Sequence, residues 1–350
     1  MIYGKDTNPG RERRCRSPHS NKDGELSLIE NKGVIMPIEQ KASEVERLVA
    51  LNEEIEWLGG GFGGVDERGR LKGVAEGPLW WQAGGWWKDG GFLLFSDVAT
   101  GKRHKWAPGE GITVYKESTN DANGLTRDRQ GRLIACEHAS QRVTREELDG
   151  SMTVVANHYR GQRLNRPNDV VVKSDGAIYF TDPITLGVQT ELDFAGVYRV
   201  APDLGTINLL VRDFVLPNGL AFSPDEKILY INDSVRKHIR AFQVDSFWGS
   251  GLLNLGSDRV FCDMSSDKRP GAHDGMKVDT EGNVYCTGPG GIWILDRTGK
   301  HLGVILTGNK HVTNLCFGGD DWTTLFITTF NELGRMRVKI PGIPVPRGQI

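Results

Sequence analysis

The sequence lacks an apolar run of the roughly 18 residues that a membrane-spanning helix needs, and its first thirty residues lack the shorter apolar stretch of a secretory signal. Its five cysteines, at positions 15, 136, 262, 286 and 316, lack the close pairs of a disulfide framework or a zinc knuckle. A formal charge of -2 leaves no basic field for a phosphate backbone. We therefore expect a cytoplasmic protein with reduced thiols, and neither a membrane nor a nucleic acid as its partner.

Turn-forming residues are abundant, since 45 glycines and 15 prolines occur among 350 residues, and this composition favours a β-rich fold. The opening segment 1–37 mixes glycine, proline and both charge signs with almost no apolar periodicity, so we expect a disordered N-terminal extension there. Residues 38–350 are predicted to form a single domain. Its first predicted element is a helix over "EQKASEVERLVA" at 39–50.

One short pattern recurs along the chain: an Asn or Asp, an apolar strand, a polar turn and a second apolar run. Its clear copies are "NGLTRDRQGRLIACEH" from 123, "NDVVVKSDGAIYFTD" from 168, "NGLAFSPDEKILYIND" from 218 and "DGMKVDTEGNVYCTG" from 274. Looser copies begin near 76 and 313. The anchors of the copies lie 40 to 56 residues apart, the length of one four-stranded blade, and they are Glu76, Asn123, Asn168, Asn218, Asp274 and Asn314.

Six copies of this kind predict an all-β fold, a six-bladed β-propeller whose blades surround a central channel. Two β-sandwich domains would have a similar density of strands, but they give no reason for a polar residue at the same phase of every copy. Closing the ring requires an early segment to share a blade with the last strand at 334–340, and the segment 55–62 is the candidate.

The anchors are predicted to meet at the propeller axis, because the innermost strand of each blade lines the channel. Any single Asn or Asp before a glycine is equally well explained as a turn residue. All six anchors, however, are carboxylates or amides, and the acids Glu76 and Asp274 would repel each other in a narrow channel without a cation. Oxygen ligands favour calcium, magnesium or manganese over structural zinc. The predicted propeller therefore includes a central metal site.

Four motifs occur in a fixed order along the chain: "EGPLW" at 76–80, "RPND" at 166–169, "PNGLAFSPDEKILYINDS" at 217–234 and "DGMKVDTEGNVY" at 274–285. In these motifs the chain resembles the SMP-30/gluconolactonase/luciferin-regenerating-enzyme family, and the "PGIPVP" at 341–346 is similar to the tail of bacterial gluconolactonases. The resemblance implies a lactone hydrolase with one divalent cation, calcium in the first place and magnesium, manganese or zinc as alternatives. It implies a substrate contact at Arg166 and the metal ligands Glu76, Asn168, Asn218 and Asp274.

The expected reaction is the hydrolysis of a sugar lactone, such as a gluconolactone-like aldonolactone, to the aldonic acid. The metal would polarise the carbonyl group and Asp274 would act as the general base, with activation of water by the metal alone as an alternative. Arg166, Asn168 and Asn123 are expected to bind the substrate. His138 is also expected to contact the substrate, and both His138 and His273 are candidates for proton transfer to the leaving alkoxide.

Two other functions stay open at this point. The same fold and metal would also suit a promiscuous hydrolase of aryl esters, hydrophobic lactones or organophosphates, or a non-catalytic, metal-stabilised binding propeller. The sequence has no Gly-x-Ser-x-Gly motif, which disfavours an α/β-hydrolase. The tryptophans at 80, 81, 86 and 87 are candidates either for stacking on a sugar or for packing in the core, and Asp182 and Asp233 are expected to cap turns.

Overall fold

The apolar runs of the repeat form strands that are buried on both faces. The computed structural model describes residues 36–65, 67, 69, 71–82, 91–185, 187–245 and 250–346. In the strands Phe92–Asp97, Leu133–Glu137 and Ile178–Asp182 every residue is buried. A strand that is covered on both faces has no solvent-facing side, so its sequence is a continuous apolar run rather than an alternation.

Short elements precede the blades in the chain. They are β1 (Ile38–Gln40), α1 (Val45–Leu48), β2 (Glu56–Gly60) and the two strands of a small hairpin, β3 (Gly64–Val65) and β4 (Leu71–Gly73).

Six antiparallel sheets, the blades, then follow in chain order, one for each copy of the repeat. Blade 1 contains β5 (Ala75–Trp81), β6 (Phe92–Asp97), β7 (Lys102–Ala107) and β8 (Gly111–Lys116). Blade 2 contains β9 (Ala122–Arg127), β10 (Leu133–Glu137), β11 (Arg142–Glu146) and β12 (Met152–Ala156). After a small hairpin of β13 (His158–Tyr159) and β14 (Gln162–Arg163), blade 3 contains β15 (Val170–Val172), β16 (Ile178–Asp182), β17 (Gly196–Val200) and β18 (Ile207–Val211).

The second half of the chain repeats this order. Blade 4 contains β19 (Pro217–Phe222), β20 (Ile228–Asp233), β21 (His238–Val244) and β22 (Leu253–Asp263). Blade 5 contains β23 (Met276–Val278), β24 (Val284–Gly288), β25 (Gly291–Leu295) and β26 (His301–Leu306). Blade 6 contains β27 (Val312–Gly318), β28 (Thr324–Thr329) and β29 (Glu332–Arg337), with β2 as its outer strand.

The first strands of successive blades contact one another around a closed ring, from β5 through β9, β15, β19, β23 and β27 back to β5. The ring is fastened where β2 pairs with β29, with Glu56 opposite Arg335 and Gly60 opposite Glu332. The predicted six-bladed β-propeller and its closure by the early segment are therefore confirmed. No helix within the described residues is long and apolar enough to cross a membrane.

The segment before the blades differs from its prediction. The helix expected over 39–50 is a single turn, because Ile38–Gln40 pairs with β26 and adds a fifth strand to blade 5. Val45 and Leu48 of the turn are fully buried against the propeller core. The apolar residues whose spacing predicted a helix thus pack a connecting segment against the propeller core. Residues 1–35, most of the extension predicted to be disordered, lie outside the described residues.

Candidate functional site

The structure brings the six anchors of the repeat together at one end of the channel, which we call the front. Hydrogen bonds connect their side chains in sequence around the axis. Asn123 donates to Asn168 at 3.0 Å, Asn168 donates to Asn218, and Asn314 donates to Glu76 at 2.9 Å. Asp274 completes the set, since Asn218 and Glu76 are among the neighbouring side chains that act on its carboxyl group. We call these six residues the front ring.

Close contact between blades explains why four of the anchors precede a glycine. A Cβ at Gly77 would lie 2.2 Å from the carbonyl oxygen of Asn123, and a Cβ at Gly219 would lie 2.2 Å from that of Asp274. At Gly124 the same atom would lie 2.5 Å from the carbonyl oxygen of Asn168. These distances are too short for real Cβ contacts, so the Asn-Gly pairs serve the approach of neighbouring blades, and the turn interpretation does not apply to them.

Side chains on the second strands hold the front ring in register. Ser96 Oγ donates to the carbonyl of Asn123 at 2.8 Å, and Thr181 Oγ1 donates to the carbonyl of Asn218 at 2.8 Å. Asn232 donates to the carbonyl of Asp274 in the same manner. Each bond joins one blade to the next beside an anchor, and because these groups are buried, losing a partner would cost about 1–3 kcal/mol.

The surroundings of the two acids of the front ring disfavour their ionised forms. Glu76 is buried, with 2% of its surface exposed, and burial followed by the charge of Asp169 raises its pKa. Asp274 is half-buried, and burial followed by the charges of Glu76 and Asp169 raises its pKa well above the usual value. Two neighbouring carboxyl groups that are both hard to ionise can share one proton, or they can both ionise around a cation.

The amides of the front ring continue into a directed chain of hydrogen bonds. Asn218 Nδ2 donates to Ser234 Oγ at 3.2 Å, and Ser234 Oγ donates to the carbonyl of His273. The chain starts at Asn123, whose Oδ1 is buried and has no hydrogen-bond partner among the described residues. The front ring thus retains an unused oxygen acceptor.

Arg166 and His138 lie beside the front ring and are partly exposed. Arg166 Nη2 donates to His138 Nδ1 at 3.0 Å, and His138 Nε2 lies 3.2 Å from Asn123 Nδ2. Burial and the positive charge of Arg166 lower the pKa of His138 to about 3, so His138 is neutral at physiological pH. Asp182 fixes this segment, because its two oxygens accept the backbone N–H groups of Asn165 at 2.9 Å and Arg166 at 2.7 Å.

A family model, the SMP-30/Gluconolactonase/LRE-like region, matches residues 74–331. The chain belongs to this family. A gluconolactonase of Zymomonas mobilis is 32% identical over 295 residues, 77% of this chain and 79% of that protein, and a regucalcin of Danio rerio is 30% identical over 73% of this chain and 82% of that protein. A solved gluconolactonase from Xanthomonas campestris has a TM-score of 0.71 at 30% identity, covering 86% of this chain and 94% of that chain. The resemblance seen in the motifs is therefore confirmed.

Sequence reasoning missed one acid of this SMP-30/gluconolactonase-family propeller. Asp169 is buried, its charge raises the pKa of both Glu76 and Asp274, and its Oδ2 has no hydrogen-bond partner among the described residues. The signal was present in the repeat, because Asp169 stands where four other copies have a glycine. A carboxylate in place of a glycine at a crowded position indicates a role other than forming a turn.

Other candidates lie apart from the front ring. His273 is buried, and the charged groups acting on it are Lys237, Asp263, His238 and Asp233 rather than the ring acids. Burial lowers its pKa to about 4. Asp233 accepts the backbone N–H groups of Val235 and Arg236 in its own turn, as the capping prediction requires, and two more from Val215 and Leu216 in the segment before β19.

The tryptophan cluster is divided between described and undescribed parts of the chain. Trp80 is buried and stacks on Phe326 with ring centroids 5.3 Å apart, so it packs in the core. Trp81 stacks on Phe92 at 5.8 Å. Trp86 and Trp87 lie outside the described residues.

The front ring fits a cation, although no group of three or more Asp, Glu, His or Cys side chains within the described ranges has the arrangement of a preformed metal site. The predicted ligands Glu76, Asn168, Asn218 and Asp274 offer only oxygen donors among their accepting atoms. The raised pKa values of the acid pair and the orphaned Asp169 Oδ2 are what a buried acidic centre shows without its counter-charge.

The opposite end of the channel, the rear, has a different character. A cavity of about 80 Å³ lies there, lined mainly by apolar residues from the first strands of all six blades. The segment 341–346 covers it, with Gly342 N bonded to the carbonyl of Trp322 at 2.9 Å and Arg127 donating to the carbonyl of Val345. Lys277 also lines this cavity.

Proposed function

We propose that this chain is a lactonase that hydrolyses a sugar lactone at the front ring with the help of one divalent cation. The observation that carries the proposal is the buried acid pair, Glu76 and Asp274, set among amide side chains at the mouth of the channel. The relatives named gluconolactonase support a lactone-hydrolysing enzyme. A scaffold without catalysis would have little reason to keep two acids whose charges oppose folding.

Glu76, Asn168, Asn218 and Asp274 would hold the cation, and calcium is the first candidate because the donors are carboxylate and amide oxygens. When bound, a divalent cation supplies Lewis-acid polarisation of an ester carbonyl and lowers the pKa of water. Magnesium and manganese suit the same donors, so the identity of the ion is a matter for titration.

Asp274 is proposed to take the proton of the attacking water. The water oxygen forms a bond to the carbonyl carbon, Asp274 accepts the proton, and the ring oxygen then leaves as an alkoxide and takes that proton back. The product is the open hydroxy acid. Asp274 suits this task because it is half-buried at the front, within hydrogen-bond reach of Glu76 and Asn218.

Arg166 and Asn123 are proposed to orient the substrate. Arg166 is partly exposed, and its backbone N–H donates to Asp182 Oδ1, which fixes the segment that carries it. Asn123 keeps a buried oxygen without a partner among the described residues, suited to accept a sugar hydroxyl. His138 is neutral and already bonded to Arg166, so its proposed part is to hold that guanidinium rather than to carry a proton.

The proposal is tested by pH-stat hydrolysis of gluconolactone, a pentonolactone, an aliphatic lactone and an aryl ester, with calcium and with chelator. We expect the sugar lactones to be the best substrates, with activity lost in chelator and restored by calcium. Hydrolysis that is unaffected by chelator would show that the reaction does not depend on a cation. A preference for the aryl ester would favour the promiscuous hydrolase.

A further inference from the structure

Lys277 brings a positive charge into the channel immediately behind the acid pair. It lies on β23, three residues after Asp274, and its Nζ donates to the carbonyl of Met276 at 3.1 Å and to Asn314 Oδ1 at 3.3 Å. Asn314 in turn donates from Nδ2 to Glu76 Oε2 at 2.9 Å. The ammonium group is therefore connected to Glu76 through a single amide.

The negative charges around this position come from three blades. Glu76 and Asp274 belong to the front ring, and Asp169 acts on both of them. Lys277 places an ammonium group within reach of Glu76 through Asn314. The guanidinium of Arg166 is paired electrostatically with Asp121. The three carboxylates and the ammonium of Lys277 then leave two negative charges when all are ionised, which is the charge that one divalent cation neutralises.

We propose that Lys277 sets the charge of the front ring so that it matches a divalent cation and disfavours a trivalent one. Lys277 acts on the cation through space and through Asn314, and it is a positioning residue rather than a ligand. A lysine that only filled the channel would be replaced without effect by an apolar side chain of similar length, since its other neighbours in the cavity are largely apolar.

This inference rests on the proposed cation site, and its test separates the two. Full-length protein stripped of metal is titrated calorimetrically with Ca²⁺ and with Tb³⁺, whose luminescence gives a second readout. If the wild-type chain does not bind Ca²⁺, or if Glu76→Gln binds it unchanged, the cation site itself is wrong. If both behave as proposed, the lysine variants decide the inference.

Lys277→Met is expected to raise the affinity for Tb³⁺ relative to Ca²⁺ by about tenfold or more, because an uncompensated charge in a poorly solvated site acts more strongly on the higher ionic charge. Lys277→Arg keeps the charge and should stay within about threefold of the wild-type ratio. Lys227→Met, on an exposed turn with 78% of the lysine side chain accessible, is the matched control. An unchanged ratio in Lys277→Met, or an equal change in Lys277→Arg, overturns the inference.

Asp169→Asn provides the opposite change of charge. It should lower the ratio of Tb³⁺ to Ca²⁺ affinity, and the double variant Asp169→Asn/Lys277→Met should return it to within about threefold of the wild-type value. If Lys277→Met does not fold, Lys277→Gln carries the same test. If the double variant does not restore the ratio, the net charge of the front ring does not determine its preference for a divalent cation.

Discussion

The two ends of the channel are built by the same six strands yet differ in chemistry. At the front the first strands begin with carboxylates and amides, and a few residues further on the same strands present Leu125, Val170, Ala221 and other mainly apolar groups. Because every first strand has the same direction relative to the axis, one position of the repeat becomes one level of the channel. The polar end and the apolar end of the channel are therefore separated by only a few residues along each first strand.

The two ends also treat buried charge differently. At the front, like charges lie together and raise one another's pKa values, which favours a bound counter-charge. At the rear, Arg127 is buried, donates to the carbonyl of Val345 and stacks on Trp81 at 4.4 Å, and burial lowers its pKa to about 10. At the rear, the charge of Arg127 binds the segment that covers the channel. At the front, the carboxylates are placed to bind a counter-charge.

Among the substitutions that test this difference between the two ends, Asp274→Asn at the front is expected to have the largest effect. Lactone hydrolysis should fall by about 1,000-fold, because the proposed proton acceptor is lost. The melting temperature of the cation-free protein should rise by a few degrees at pH 8, because one of two neighbouring like charges is removed. A pH-stat assay and calorimetry in chelator measure the two quantities.

The control for this substitution is Glu110→Gln, an acid that is 59% exposed and pairs with Lys105 on the outer edge of blade 1. It should change neither quantity measurably. A loss of activity in Asp274→Asn without any gain in cation-free stability would contradict the view that the front ring is electrostatically strained.

The next effect concerns the close contact between blades at the front. In Gly219→Ala the new Cβ would lie 2.2 Å from the carbonyl oxygen of Asp274, so the free energy of unfolding should fall by about 1–3 kcal/mol. Calcium affinity should fall as well, because Asp274 is displaced. Urea unfolding and calorimetric titration measure both, with Gly64→Ala as control, where the nearest atom is 3.7 Å away. Equal stability of the two variants would show that the strands at Gly219 can separate without cost.

A smaller effect is expected from pH. The folded, cation-free protein holds protons on Glu76 and Asp274 to higher pH than the unfolded chain, so these groups destabilise the fold increasingly as pH rises through their raised pKa values. Calcium at the proposed site would bind the ionised pair and remove that penalty. The rise in melting temperature on adding calcium should therefore grow from near zero at pH 5 to several degrees at pH 8. A rise that is constant across this range would exclude the acid pair as the calcium site.

Most of the fold was predictable from the sequence, and the reason is its repetition. The position of Asn123, Asn168 and Asn218 in equivalent copies predicted both the blades and the convergence of the side chains. The function of Gly124 and Gly219, which follow Asn123 and Asn218, was not predictable, because an Asn-Gly pair in a turn and one at a contact between blades have the same sequence. Only the distance from Gly219 to the next blade distinguishes them.

Features outside the repeat were predicted poorly. The strand Ile38–Gln40 depends on a partner, β26, that lies more than 250 residues away in the chain, so no local pattern specifies it. Asp169 and Lys277 sit within recognised motifs, but their importance arises from the charges that other blades bring near them. Electrostatic relationships of this kind become visible only when the channel is assembled.

The smallest effect on catalysis is expected at the rear, from Arg127→Gln. The substitution weakens the bond to Val345 and removes the stacking on Trp81, so the free energy of unfolding should fall by about 1–2 kcal/mol. The kcat for lactone hydrolysis and the affinity for calcium should stay within about twofold, because the front ring keeps its contacts. Ile343→Ala, in the same closing segment, should behave alike, since Ile343 N bonds the carbonyl of Val278 and its side chain lines the rear cavity. If either variant lowered kcat while melting as the wild type does, the rear of the channel would take part in the chemistry, and the separation of the two ends would fail.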